Sequence, residues 1–160
     1  MTKYILGIDC GLSGALCLYS SGEPLIIFDM PTHEITKNGK KKKQIDTYAL
    51  GKFIDTHGLN VEKSIIEMPS AMPGQGVTSS WNFGLNVGIM LGVIAANFIP
   101  MQLVAPATWK KAMKLSKDKD ASRLRASQMA PHEAHNWTRV KDDGRAESFL
   151  LAVWGEMQAI

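Results

Sequence analysis

Three short apolar runs fill the first thirty residues, and this crowding restricts the folds open to the chain. The runs are Tyr4–Asp9, Ala15–Tyr19 and Pro24–Met30, and they are separated by the glycine turn Cys10–Gly14 and by Ser21-Gly22. Parallel neighbours need a crossover of a dozen or more residues, so gaps this short permit only antiparallel pairing. We therefore predict that the chain opens with an antiparallel meander of three strands.

The remainder of the chain alternates between helical and strand patterns. Short apolar runs at Lys63–Met68 and Met101–Val104 predict two more strands. Apolar residues at helical spacing predict helices between and after them; these run from Asp46 to Gly58, Ser79 or Ser80 to Asn97, Pro106 to about Leu115, Lys119 to Met129 and Asp143 to Gln158. Strands joined through helices pair in parallel. The predicted fold class is α/β, with a mixed five-stranded sheet flanked by helices in one domain over residues 1–160.

Basic residues are concentrated in two segments, although the net charge of the chain is only +3. Five of the seven residues from Lys37 to Lys43 are lysines, within a polar stretch that we predict to be an exposed loop or hairpin tip. Seven basic residues against two acidic ones lie between Lys110 and Arg125. Clustered positive charge is typical of proteins that bind phosphate backbones. A solvated surface explains either segment alone equally well.

Composition argues against several classes of protein. The longest apolar stretch, Gly88 to Pro100, is shorter than the roughly 18 residues of a membrane span, so no membrane partner is predicted. Two cysteines are too few for a disulfide scaffold and favour a reducing, cytoplasmic location. The glycine motifs that bind nucleotide phosphates are absent, so no nucleotide cofactor is predicted. His132 and His135 have no cysteine cluster near them, which argues against zinc.

Four acidic residues lie where the predicted elements end or begin. Asp9 and Glu67 close apolar strands, while Asp143 and Glu147 lie one turn apart at the start of the last helix. Convergent carboxylates are ligands for Mg²⁺, and two such ions can hydrolyse a phosphodiester. Simpler roles stay open: a hydrogen bond to its own turn for Asp9, a surface position for Glu67 and a helix cap for Asp143. Asp142 is predicted to be only a favourable charge at the helix N-terminus.

Four segments together resemble the RuvC-type Holliday junction resolvases, most closely the phage and organellar branch of that family. These segments are Gly7–Gly14, Ile66–Pro69, Met72–Gly76 and Asp143–Glu147. The resemblance extends from residue 4 to about residue 155. It implies an RNase H-like fold and a homodimer that nicks four-way DNA junctions in symmetric pairs, with two Mg²⁺ or Mn²⁺ ions per active site. It also implies a bacterial cytoplasm as the location, with phage origin as one source.

The resemblance assigns roles to individual residues. It makes Asp9, Glu67, Asp143 and Glu147 both catalytic residues and metal ligands. The residues expected to contact DNA are Lys40, Lys41, Lys42, Lys43, Gln75, Lys110, Lys111 and Arg145. Cys10 is a departure, since many relatives carry proline there, and it places a thiol beside the expected metal site.

Two other functions remain open at this stage. An actin-like ATPase or kinase domain begins with a similar motif, but it normally requires a second phosphate-binding motif and a longer chain. The second alternative is a non-catalytic module that binds branched DNA, although acidic residues repel DNA unless metals neutralise them. The predicted dimer interface is the helix from Ser79 to Asn97. Trp81 and Phe83 lie at its start, and glycines follow every four residues at Gly84, Gly88 and Gly92.

Overall fold

A computed structural model describes residues 1–68, 70 and 72–158 of the chain. The strands are β1 (Tyr4–Ile8), β2 (Ala15–Tyr19), β3 (Ile26–Asp29), β4 (Thr32–Lys37), β5 (Lys40–Ile45), β6 (Val61–Glu67) and β7 (Met101–Val104). The α-helices are α1 (Thr47–His57), α2 (Val77–Ala96), α3 (Pro106–Ala112), α4 (Ala121–Met129) and α5 (Asp143–Met157). Short 3₁₀ turns cover Gly58–Asn60, Pro131–Trp137 and Val140–Asp142.

The main sheet has five strands in the order β3-β2-β1-β6-β7. Strands β1, β2 and β3 pair antiparallel, while β6 pairs in parallel with both β1 and β7. The predicted mixed five-stranded sheet is therefore confirmed. In the β1–β6 register Ile8 lies opposite Ile66, so the residues that follow, Asp9 and Glu67, reach the same edge of the sheet.

The sheet separates two cores. Alternate residues of a strand face opposite sides, and Ile5 and Ile65 pack against α5 while Leu6 and Ile66 pack against α1 and α2. Helix α5 lies so close to β1 that a Cβ atom at Gly7 would overlap backbone atoms of Ser148 and Ala152 in α5. The same alternation places Asp9, two residues after Gly7, on the side of the sheet that α5 covers.

The lysine-rich segment forms a hairpin outside the main sheet. Strands β4 and β5 pair antiparallel with Lys37 opposite Lys40, and the turn residues Asn38 and Gly39 both have positive φ. Asn-Gly in this conformation suits a two-residue hairpin turn. The predicted exposed loop or hairpin tip is thus a complete two-stranded sheet, which continues to the buried Ile45. Four consecutive lysines lack the apolar alternation that would have predicted a strand.

Helix α2 is unusually exposed for its apolar composition. It begins at Val77, earlier than the predicted Ser79 or Ser80, with Gly76 at the N-cap position and no side-chain cap. Only Val87, Met90 and Ile94 of its twenty residues are buried. In the part of the chain that the structure describes, α2 is long and apolar enough to cross a membrane by length and composition. One such helix is weak evidence, so the absence of a membrane partner stays a prediction.

Candidate active site

The first carboxylate of the site lies in the glycine turn after β1. The Asp9 side chain accepts a hydrogen bond from the Gly11 backbone N–H at 3.1 Å, so it does bond its own turn. The turn is so tight that a Cβ atom at Gly14 would overlap the backbone of Asp9, and only glycine fits there. Cys10 points the other way, into the core beneath α1 and α2, where burial raises the pKa of its thiol to about 12. The Cys10 thiol is therefore protonated at neutral pH.

The second carboxylate is held by a tryptophan. The indole N–H of Trp109 donates a hydrogen bond of 2.6 Å to Oε2 of Glu67, across 42 residues of sequence. Trp109 belongs to α3 and is fully buried, so its ring cannot turn without disturbing the core. The sequence predicts DNA contacts for the adjacent Lys110 and Lys111, and it predicts no role for Trp109. A buried indole needs a partner for its N–H, and that requirement was the available signal.

The third carboxylate reaches the site from α5. Glu147 accepts a hydrogen bond from the Ser122 hydroxyl at 3.1 Å and forms an ion pair with Lys110 Nζ at 3.3 Å, both on Oε1. Lys110 also lies 5.4 Å from the ring centroid of Trp109. A lysine predicted to contact DNA is therefore also part of the carboxylate site.

The pKa shifts indicate that these three carboxylates share one site. Burial, together with the negative charges of Glu147 and Glu67, raises the pKa of Asp9 to about 6. Burial also raises the pKa of Glu67, with a smaller contribution from Glu147, while the Trp109 hydrogen bond and Lys110 oppose the rise. Lys110 is thus the cation that partly compensates a cluster of acidic groups. Such a cluster is unfavourable in a partly buried site unless cations balance it.

The fourth predicted carboxylate has a different partner. Asp143 accepts a hydrogen bond of 2.7 Å from Nε of Arg123 in α4, and Arg123 also pairs with Asp120. Its neighbour Asp142 is buried and forms an ion pair of 2.8 Å with Arg139, whose backbone N–H it also binds. These contacts lower the pKa of Asp142. The description of Asp142 as only a helix-terminal charge is therefore incomplete, because its main role is this local ion pair.

The donor chemistry of the site fits a hard divalent cation. The groups at the sheet edge are carboxylate oxygens, which Mg²⁺ and Mn²⁺ prefer. Among residues 1–68, 70 and 72–158, no three histidine, cysteine, aspartate or glutamate side chains are close enough to hold one ion together. Metal binding would therefore require the carboxylates to move closer together.

The residues expected to contact DNA fall into two groups. Lys40, Lys41, Lys42 and Lys43 are exposed on β5, where Lys41 pairs with Glu34 at 3.3 Å, and Lys111 is exposed on α3. The other three residues are engaged within the chain, Lys110 through its ion pair with Glu147. Gln75 accepts from the Met72 backbone N–H and donates to Ser79, and Arg145 donates twice to Asp29 at 2.7 Å and once to the carbonyl of Asn136. A role for these residues in DNA binding stays a prediction.

The mixed sheet with strand order β3-β2-β1-β6-β7 has counterparts among solved structures. No protein-family model matches the sequence, and no curated protein matches it. Solved structures do match the fold. Thermus thermophilus RuvC in complex with a Holliday junction substrate has a TM-score of 0.63 and 12% identity, and the match covers 98% of this chain and 94% of that one.

Two further structures agree with this match. Another Thermus thermophilus RuvC structure has a TM-score of 0.57 and 14% identity, covering 97% of this chain and 96% of that chain. The yeast mitochondrial Holliday junction resolvase Ydc2 has a TM-score of 0.57 and 16% identity, covering 96% of this chain and 77% of that chain. The chain therefore has the RNase H-like fold of Holliday junction resolvases. Because RuvC and the mitochondrial protein both match, the comparison does not single out the phage and organellar branch.

Proposed function

We propose that this chain is a metal-dependent, structure-selective endonuclease that resolves four-way DNA junctions by paired symmetric nicks. The observation that supports this most directly is the convergence of Asp9, Glu67 and Glu147 from β1, β6 and α5. Their mutual repulsion contributes to an Asp9 pKa of about 6. A site with this excess of negative charge binds cations, and the shared fold of the resolvases makes a DNA junction the substrate to test first.

The proposed mechanism is hydrolysis of a phosphodiester. Asp9, Glu67 and Glu147, together with Asp143, would hold two Mg²⁺ or Mn²⁺ ions. When bound, such ions lower the pKa of the attacking water and stabilise the departing oxygen.

The chain's own side chains orient these ligands. Trp109 holds Glu67, and Ser122 holds Glu147. Lys110 brings a positive charge to a site where a DNA phosphate would otherwise approach only carboxylates. The exposed lysines of the hairpin and Lys111 would bind phosphates, which positions DNA without reading its sequence.

We further propose that the active form is a homodimer. Two nicks placed symmetrically about a junction require two active sites related by a twofold axis. Gly84, Gly88 and Gly92 lie on exposed positions of α2, and a Cβ atom at any of them would meet no heavy atom within 4 Å. A second copy of α2 can approach closely at such positions. Light scattering that shows only monomer at micromolar concentration, with and without junction DNA, would contradict this proposal.

A comparison of two DNA substrates tests the proposed activity. A synthetic four-way junction and a linear duplex of the same sequence are incubated with the protein in Mg²⁺ or in EDTA. We expect symmetric paired nicks on the junction alone, and only with Mg²⁺. Glu62→Gln, an exposed change on β6, serves as the control for Glu147→Gln, which we expect to bind the junction but nick it at least about 100-fold more slowly.

The other outcomes identify the alternatives. ATP hydrolysis without nicking would favour an actin-like ATPase. Junction binding that persists with no nicking under any metal condition would favour a non-catalytic module. Equal cleavage of the duplex would exclude structure selectivity.

A further inference from the structure

A groove of the molecule lies outside the carboxylate site. It has a volume of about 430 Å³ and lies between the β4–β5 hairpin and the first turns of α2. This volume falls within the range of roughly 300–1,000 Å³ that small-molecule sites occupy. Leu12, from the turn that carries Asp9, contributes to its lining, so the groove adjoins the loop of the candidate active site.

One wall of the groove carries an exposed tryptophan. Trp81 is 68% exposed, whereas Trp109, Trp137 and Trp154 are at most 5% exposed. An indole ring presents a large flat surface that normally becomes buried, so its exposure beside a groove indicates that a bound molecule covers it. Asn82 and Asn86 follow Trp81 along α2 and line the same groove, which adds amide donors and acceptors.

The opposite wall is basic. In the register of the hairpin Ile35 pairs with Lys42 and Lys37 pairs with Lys40, so these four side chains share one face of the two-stranded sheet. Glu34 belongs to the other face, where it pairs with Lys41. Ile35, Lys37 and Lys42 line the groove, as does Lys43 from the register position opposite Glu34, and no acidic side chain of the described residues lines it.

We propose that this groove binds single-stranded DNA, with a base stacked on Trp81 and phosphates held by Lys37 and Lys42. An aromatic platform beside a positively charged channel is the combination that proteins use for unpaired strands. A duplex backbone would contact the lysines but not stack on the indole of Trp81, whereas an apolar partner would cover Trp81 and leave the lysines without counterions. This inference builds on the proposed function, to which it adds that the preferred branched substrate has an unpaired strand next to the branch.

The rival occupant is a second copy of the chain. Trp81 also borders the glycine positions of α2, so dimerisation would cover it if the interface extends to the N-terminal end of the helix. The two occupants make opposite predictions for the tryptophan fluorescence of the protein. If the groove binds single-stranded DNA, the fluorescence of Trp81 changes when an oligonucleotide is added at constant protein concentration. If a second copy of the chain covers Trp81, its fluorescence changes when the protein alone is diluted.

Fluorescence anisotropy of a labelled thymidine oligonucleotide, measured in EDTA so that cleavage cannot occur, tests the groove directly. We expect Trp81→Ala to weaken binding by about 5- to 100-fold, while Trp81→Phe keeps most of the affinity because phenylalanine also stacks. The double variant Lys37→Gln/Lys42→Gln should reduce the slope of log affinity against log salt by about 1.4, at roughly 0.7 per phosphate contact. Lys3→Gln/Lys52→Gln changes the net charge equally at positions outside the groove and should leave that slope unchanged.

Two results would overturn the inference. One is an oligonucleotide affinity that Trp81→Ala leaves unchanged, and the other is a Trp81 signal that depends on protein concentration and not on the oligonucleotide. The junction assay distinguishes failure of the proposed function. If wild-type protein never nicks branched DNA but binds the oligonucleotide in a Trp81-dependent way, the nuclease proposal is wrong and the proposal that the groove binds single-stranded DNA is supported. If wild-type protein nicks junctions and Trp81 does not affect oligonucleotide binding, the proposal for the groove is wrong and the nuclease proposal is supported.

Discussion

Replacing Asp9 with asparagine should stabilise the protein in the absence of metal, even though it should abolish nicking. In the folded chain burial and the charges of Glu147 and Glu67 raise the pKa of Asp9 from its ordinary value of 3.8 to about 6. The folded state therefore holds the Asp9 proton more tightly than the unfolded state does. Between these two pH values, the free energy of unfolding falls as the pH rises, because the unfolded chain has already ionised. Above pH 6 the whole loss is present and the contribution is constant.

The size of the effect follows from the difference between the two pKa values. A difference of about 2 pH units corresponds to about 3 kcal/mol at roughly 1.4 kcal/mol per unit. In the Asp9→Asn variant the side-chain amide oxygen can still accept the Gly11 hydrogen bond, and the effect of that bond on the ionised carboxylate is already contained in the shifted pKa. The expected stabilisation is therefore about 3 kcal/mol above pH 6, and it should nearly vanish by pH 4.

Urea unfolding of wild type and Asp9→Asn in EDTA, at several pH values from 4 to 8, measures this difference. Asp55→Asn provides the control, because Asp55 is exposed on α1. Added Mg²⁺ should reduce the advantage of Asp9→Asn, since a metal that binds only the folded wild type stabilises it by mass action. The reasoning is refuted if Asp9→Asn is destabilised at pH 7.5, or if its effect does not change between pH 4 and pH 7.

The other predictions concern the remaining side chains of the site and helix α2. In the junction assay Asp143→Asn and Glu147→Gln should nick at least about 100-fold more slowly than wild type. Asp142→Asn should nick nearly normally but unfold at lower urea concentration, because its buried carboxylate loses the ion pair with the half-exposed Arg139. Trp109→Phe keeps an aromatic ring but removes the donor to Glu67, so nicking should fall by about tenfold or more while circular dichroism stays native; full activity would argue against its orienting role. Gly88→Ala has open space around it and should stabilise the monomer by about 0.5–1 kcal/mol, but weaken dimerisation as measured by sedimentation if α2 is the interface.

Local patterns in the sequence were enough to predict the sheet and the position of its acidic edge. Strand spacing required the antiparallel meander, and the strand–helix–strand order required β6 and β7 to be parallel to β1. Because β6 was expected to run parallel to the first strand, Asp9 and Glu67 were predictable at the same edge of the sheet, but the pairing of β1 with β6 that makes them neighbours was decided by the tertiary structure. Hairpin β4–β5 was only partly predictable, because its turn has a clear Asn-Gly signal but its lysines do not alternate with apolar residues.

Only the tertiary structure decided which partner each charged side chain has. The contact of Trp109 with Glu67 spans 42 residues, and that of Arg145 with Asp29 spans 116. Sequence carries no short-range pattern for such pairs, because they depend on how α3 and α5 pack across the sheet. The same packing joins Glu147 to Lys110 and Asp143 to Arg123. The residue types and their order along the chain thus determined where acidic groups gather, while long-range packing determined which cations and donors hold them.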